Sequence, residues 1–493
     1  MSQTDDFQVL ITADEAWPAF ERTVLNATKS VSAGFRIFDM LTVLRSDEAR
    51  KVGRTWFDLL MHVLHKGVHV RLIVSDFDPV FATELHEIAW TTMRQAAALR
   101  EISGCRDEQL QVIASLHPAK AGAMPWTAFL PFAVRRKSAR LRQLSEMRKK
   151  RQAVRLQQQR MPSLHTTSHH QKIAVVDETW LYVGGLDLNE RRYDDPTHDR
   201  PAEETWSDVQ LLIRGPEAKE ASTHLEEFVD VVHGKAAPTK LKSVKRTLSA
   251  PRRFQFPFLS PRTVLSEIEE VHRTAFRNAH RLVYVETQYF RARSLAECLA
   301  EQAQAKPDLA AIIILPGLPD KVAFSSDFGS DAKYGMALQA DALDILKQAF
   351  GKRLTLATPV RPILAARADT RTLAGSPLVH VHNKVLVQDD QFALVGSANL
   401  NGRSLYWDTE VAVTVSDKNR VDVLRRRLMA HWWHSELPAE AKDPAKQQAW
   451  WHRKIAENGV VLPENRTGFL VPHDVDNLRD ETVHLPGVTD NIV

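Results

Sequence analysis

One eight-residue pattern occurs twice in this chain, and it restricts the fold more than any other feature. Residues 170–177 read HQKIAVVD and residues 382–389 read HNKVLVQD. Each copy sets a His two positions before a Lys and seven before an Asp, and six further residues lead to a glycine, in Gly184-Gly185 and in Gly396-Ser397. One His-x-Lys-x4-Asp is short enough to arise by chance. Two copies with the same spacing and the same apolar filling point to an internal duplication. The residues after each Lys are largely apolar and β-branched, which suits a buried strand. On a strand, positions two apart project from one face, so His and Lys point the same way. WLYVGG and FALVGS then read as a second strand stopped by a glycine-led turn. Each copy is therefore expected to be a pair of adjacent strands presenting one imidazole and one ammonium at a sheet end.

Two such sets facing each other would make a phosphodiester site. Lys172 and Lys384, with Asn399 and Ser397 as donors, could hold the non-bridging oxygens of a phosphate and stabilise the charge of a pentacoordinate transition state. One His could attack phosphorus while the other protonates the leaving alcohol and then deprotonates the incoming water or alcohol. Two histidines divide these duties only if each has its own orienting partner, and carboxylates commonly serve. Asp208 in ETWSDVQLLI and Glu410 in YWDTEVAVTV stand at matched places, each ahead of an apolar strand-like run.

With these residues in view, the chain resembles the phospholipase D superfamily, whose hallmark is the duplicated HKD motif. HHQKIAVVDETWLYVGGLDLNERRYDD is similar to the first motif region of eukaryotic-type phospholipases D, VHNKVLVQDDQFALVGSANLNGRS to the second, and VETQYF to the strand ahead of the second motif. The resemblance spans roughly residues 7–435. It implies an α/β fold of two pseudo-symmetric halves, each a mixed β-sheet flanked by helices, with one active site at their interface. It implies that His170 is the nucleophile and His382 the general acid and base. Lys172, Lys384 and Asn399 would bind phosphate, and Glu410 and Asp208 would each support the His of the opposite half. Asp177 and Asp389 would be structural. Asp187 departs from the scheme: it occupies the place that matches Asn399, and an acid there would repel a phosphate.

Composition adds bounds. A chain of 493 residues can hold two core-bearing halves. Its 44% hydrophobic and 26% charged residues are ordinary for a globular protein. Only Cys105 and Cys298 occur, so no disulfide framework is indicated and a reduced, cytoplasmic setting is expected. The start, MSQTDDFQVL, does not read as a signal peptide, and no apolar run approaches the roughly 20 residues of a membrane span. The motif chemistry calls for no metal or other cofactor, since the lysines supply positive charge. LHTTSHHQ, with His165, His169 and His170, lacks Cys or a second spaced pair, so it does not read as a zinc site.

The halves are expected at 1–235 and 259–440, joined by a Pro-containing basic linker at 236–258 and followed by a surface tail at 441–493. Residues 13–30 and 262–279 both show helical periodicity leading into an apolar run. A helical, basic insertion at about 79–160 interrupts the first half. It contains AMPWTAFLPFAV (123–134) and then a stretch, 135–160, with eleven basic residues and one acid, Glu146. An aromatic-apolar segment beside a basic helix suits peripheral contact with an anionic membrane; the plainer alternative is a solvated helix over a small core. Residues 317–335 and Arg191, Arg192 and Tyr193 are expected at the mouth of the site. Trp432-Trp433 and Trp450-Trp451 are expected to pack against the body. The function these features favour is hydrolysis of a phospholipid head-group ester to phosphatidic acid through a phosphohistidine, with head-group exchange where an alcohol replaces water. A cardiolipin synthase-type phosphatidyltransferase is the alternative. A nuclease would use the same chemistry on nucleic acid and is the less favoured partner class.

Overall fold

The computed structural model describes residues 6–324, 330–443, 445–476, 482 and 489–492. The first half forms a seven-stranded sheet from β1 (Phe7–Ile11), β2 (Ser30–Phe35), β3 (His69–Asp76), β4 (Leu110–Leu116), β5 (Lys172–Val176), β6 (Trp180–Gly184) and β7 (Val209–Arg214). Its order is β1-β7-β6-β5-β2-β3-β4. The second half supplies β8 (Val244–Ala250), β9 (Arg262–Ser266), β10 (Leu282–Thr287), β11 (Ala310–Ile314), β12 (Leu354–Pro359), the small hairpin β13 (Thr372–Leu373) and β14 (Ser376–Pro377), β15 (Lys384–Gln388), β16 (Phe392–Gly396), β17 (Glu410–Val415) and β18 (Leu470–Pro472). Without the hairpin these form a nine-stranded sheet, β18-β12-β11-β10-β15-β16-β17-β8-β9. Read from the other end, β8-β17-β16-β15-β10-β11-β12 repeats the first sheet strand for strand. In both, the motif strand runs antiparallel to the strand that follows the first helix of the half, β2 or β10, with Phe35 opposite Lys172 and Thr287 opposite Lys384.

The two sheets pack face to face, because alternation along each motif strand gives it two apolar faces. Ile173 and Val175 join Val385 and Val387 in one shared core, together with Val183, Val209, Val395 and Val411. Ala174 and Val176 turn outward to the core formed with helices 12–25 and 56–65, and Leu386 turns to that formed with helices 267–278, 293–305 and 330–350. Helices thus cover the outer face of each sheet, and helices 216–232 and 418–433 join the sheets in the core between them.

Three segments differ from what the sequence suggested. Residues 236–258, expected as an exposed linker, contain β8, which pairs with β17 and β9 inside the second sheet. Its Arg246 is fully buried and held by Glu227 and Glu267, so the charge that suggests exposure is neutralised within the fold. Within 79–160, helix Thr83–Ser103 and β4 belong to the repeat, matching helix 330–350 and β12; the addition proper is the run of helices at Ala123–Gln143, Glu146–Lys149 and Gln152–Gln159. The tail contributes helix Gln447–Val460 and β18, which pairs with β12, and it buries Trp450 and Trp451 against Trp433. Among the described residues, no helix is long and apolar enough to cross a membrane.

Candidate active site

The motif histidines lie at the starts of β5 and β15, where the two sheets meet, and their ring centres are 6.5 Å apart. Short backbone bridges between the halves fix this position. His170 N donates to Thr409 O at 2.8 Å, and Thr409 N to Ser168 O at 3.1 Å. Reciprocally, His382 N donates to Ser207 O at 2.8 Å, and Ser207 N to His380 O at 2.9 Å. Each His is thereby stitched to the residue just before the carboxylate of the opposite half. The side chains follow: His170 Nδ1 lies 2.9 and 3.0 Å from the Glu410 carboxylate oxygens, and His382 Nδ1 lies 2.7 Å from Asp208 Oδ2. With Nδ1 engaged, each imidazole has Nε2 left for the gap between them. The gap between the two rings is where a phosphoryl group would be received.

Lys172 and Lys384 are buried beside the histidines, each donating from Nζ to the carbonyl of its own motif His. Burial penalises every charge here. It raises Asp208 to about 7 and Glu410 to about 8, opposed chiefly by Lys384 and Lys172 respectively. It lowers Lys172 to about 8 and Lys384 to about 7, and it lowers both histidines well below their usual range, with the lysines adding to the effect. The site therefore holds its two carboxylates and two lysines close to the protonation boundary at neutral pH, and its histidines neutral. A bound anion would draw protons back onto the lysines.

The remaining expected residues sort by position. Asn399 is buried beside the site and donates to Gln288 Oε1 at 3.3 Å. Ser397, expected as a phosphate donor, is instead committed elsewhere: its hydroxyl donates to Glu410 Oε2 and accepts from Val411 N at 3.1 Å, and the residue is fully buried. It holds the carboxylate rather than substrate. The first half has Gly185 at that place, where a Cβ would come within 2.3 Å of Asp208 Oδ1. The shorter acid thus pairs with glycine and the longer acid with serine. Asp177 and Asp389 stand just past the far ends of β5 and β15, about 16 Å along the strand from the motif Lys. Asp177 accepts from the backbone of Thr28, Lys29 and Ser30, and Asp389 from that of His280, Arg281 and Leu282, anchoring the starts of β2 and β10. Asp187 accepts from Ile37 N at 3.0 Å. His165 and His169 turn away from His170, to His117 O and to Ser115 and Thr409.

One wall was not anticipated. The Trp206 ring centre lies 4.5 Å from that of His382, and the Arg192 guanidinium lies 3.6 Å from the centre of the indole. Trp206 stands two residues before Asp208 in the sequence, the only signal that could have drawn attention to it. Of the expected mouth segment 317–335, residues 325–329 lie outside the described residues; Phe324 reaches the ring of His380 at 6.2 Å. Behind the site, Glu286 of VETQYF is fully buried and accepts from Tyr284, Asn383 and Trp432, the last at 2.9 Å.

Comparison with known proteins agrees with this geometry. The family model described as "Cardiolipin synthase, PLD-like domain" matches residues 273–432. Phospholipase D1 of Schizosaccharomyces pombe is 21% identical over 367 residues, covering 52% of this chain and 25% of that protein. Phospholipase D gamma 1 of Arabidopsis thaliana is 22% identical over 376 residues, covering 50% of this chain and 44% of that protein. The chain thus spans less than half the length of these curated relatives. The crystal structure of phosphatidylserine synthase from Haemophilus influenzae Rd KW20 superposes with a TM-score of 0.51 at 13% identity, over 92% of this chain and 93% of that one, a likeness of fold. The PLD-like family-model match and the phospholipase D relatives, with the likeness of fold, support the phospholipase D superfamily for this chain.

Proposed function

We propose that the chain hydrolyses the head-group ester of a phospholipid to phosphatidic acid, and transfers the phosphatidyl group when an alcohol replaces water. The observation that carries this reading is the crossed arrangement: two imidazoles, each held at Nδ1 by a carboxylate of the opposite half, with two buried lysines beside them. His170 Nε2 would attack phosphorus, the P–O bond to the head group would break, and its oxygen would take a proton from His382. Water would then give a proton to His382 as its oxygen displaces His170 from phosphorus. Lys172, Lys384 and Asn399 would stabilise the charge on the phosphoryl oxygens, and no metal or other cofactor enters these steps.

A lipid is favoured over a nucleic acid by the surface of the added helices and the loop joined to them. Met124, Phe129 and Phe132 on helix Ala123–Gln143 are exposed, and so are Phe254, Phe256 and Phe258 on the neighbouring loop. The two segments are joined by Gly122 N to Phe258 O at 2.9 Å and Met124 N to Phe256 O at 3.1 Å. Arg135, Arg136 and Arg253 are exposed in the same two segments. Apolar side chains ringed by cations suit peripheral contact with an anionic leaflet, which would place the protein at a cytoplasmic membrane face. The curated relatives are phospholipases D, which supports hydrolysis. The matching family model and fold neighbour bear synthase names, which keeps a cardiolipin synthase-type transfer as the second reading.

The test is mass spectrometry of lipid products from wild type and Lys384→Ala, with mixed phospholipid vesicles, with and without glycerol and phosphatidylglycerol. Phosphatidic acid made by wild type alone is the expected result. Cardiolipin or another exchanged lipid in its place would move the protein to the synthase reading. No lipid product would overturn both.

A further inference from the structure

The repeat is broken at one point inside the site. Register aligns the halves: Phe35 lies opposite Lys172 as Thr287 lies opposite Lys384, and Phe38 bridges to Leu188 as Phe290 bridges to Leu400. Arg36 therefore corresponds to Gln288, and Asp187 to Asn399. In the second half this pair is neutral, Asn399 donating to Gln288. In the first half it is charged.

The Arg36 guanidinium is poorly satisfied. Its closest carboxylate is Asp187, at 3.9 Å, a charge contact too long to be a hydrogen bond. Its Nε is buried without a partner. Asp187 meanwhile spends one oxygen on the backbone of Ile37. The side chain leans on the Phe77 ring at 5.5 Å and keeps 22% of its surface exposed. Its charge is felt by both His170 and Lys172, depressing their affinity for protons. A guanidinium held loosely by one acid, with donors to spare and its charge on the active-site histidine, is arranged to receive an anion.

We infer that Arg36 is the first half's phosphate-binding donor, standing in the place that Asn399 fills in the second half, with Asp187 as its anchor. This rests on the phosphodiester reading of the site and adds to it. The repulsion that Asp187 alone would exert on a phosphate is cancelled by the cation beside it. The cradle becomes Lys172, Lys384, Asn399 and Arg36, charged more heavily on the side of His170.

Binding of inorganic tungstate, a phosphate analogue, measured by calorimetry, tests the assignment without relying on any substrate. Arg36→Gln copies the residue of the other half and should weaken tungstate roughly 10-fold, the worth of a lost charged hydrogen bond. Arg36→Gln with Asp187→Ala removes the acid's repulsion without adding an amide donor at the place that matches Asn399, and should stay equally weak. Recovery of wild-type affinity in the double variant would overturn the inference, since Arg36 would then merely neutralise Asp187. So would wild-type affinity in the single variant. Should the single variant fail to fold, with Asp187 left unpaired, the double variant carries the test. If wild type itself binds no tungstate, the phosphodiester reading falls too; if wild type binds and the variants bind equally, only the role of Arg36 falls.

Discussion

Replacing Glu410 with Gln keeps the shape of the orienting residue and removes its charge. During attack on phosphorus, His170 acquires positive charge, and the carboxylate beside it stabilises that charge. The contact distances of 2.9 and 3.0 Å put the centre of the carboxylate about 4 Å from the centre of the imidazole ring. At an effective dielectric near 20, a unit charge pair at that separation is worth about 4 kcal/mol. Losing it should cost about 10³ in rate. The fold should not suffer: a neutral amide is cheaper to bury than a carboxylate, and its oxygen can still accept from Ser397. Hydrolysis of bis(p-nitrophenyl) phosphate above pH 8, where Glu410 carries its charge, gives kcat, and thermal melting gives stability. An unchanged melting temperature with kcat reduced on the order of 10³ supports the assignment. An intact variant that retains kcat within about tenfold would refute it, because a carboxylate touching the nucleophile cannot be that dispensable.

Further outcomes follow from the same geometry. His170→Ala should abolish the covalent phosphoprotein under acid quench, whereas His382→Ala should still accumulate it from a p-nitrophenyl ester, whose leaving group needs no proton; the opposite pattern would exchange the two roles. Lys172 and Lys384 carry charge below their lowered values and lose it as pH rises, so tungstate affinity should fall as pH climbs through about 7 to 8; affinity that stays flat to pH 9 would contradict the burial effect. Glu286→Ala would leave the donors of Tyr284, Asn383 and Trp432 buried without an acceptor, and should lower stability by about 3 kcal/mol or more in chemical denaturation, far more than Glu286→Gln. Replacing Phe254, Phe256 and Phe258 by Ser should reduce sedimentation with phosphatidylglycerol vesicles while leaving bis(p-nitrophenyl) phosphate hydrolysis intact; undiminished vesicle binding would remove that face from the reading.

The site was readable in sequence because duplication doubles the signal. His170 and His382, Lys172 and Lys384, and the carboxylates Asp208 and Glu410 all recur at matched distances, and the structure brings these six together. Features that break the repeat were not readable. Arg36 stands in an apolar run, and its meaning emerges only when register sets it against Gln288. Ser397 is a hydroxyl near a phosphate site in sequence, yet only coordinates reveal that its proton belongs to Glu410. In β8, Arg246 and its flanking lysines suggest solvent, and the Glu227 and Glu267 that neutralise Arg246 come from elsewhere in the chain. The addition after β4 looked longer than it is, because helix Thr83–Ser103 mixes charge with apolar residues and conceals its likeness to helix 330–350.

The crossed stitching has a bearing on synthesis at the ribosome. His170 must wait for Glu410, which is 240 residues further along the chain. At roughly 5–20 residues per second, that delay is about 10–50 s. For most of it, once β7 is made, the first sheet stands with Ile173, Val175 and Val183 lacking the second sheet that covers them. A nascent chain in this condition presents a flat apolar surface that other nascent chains could also cover. Slow codons between β7 and β15 would lengthen the exposure, and a trigger-factor-like holdase would find its natural target there.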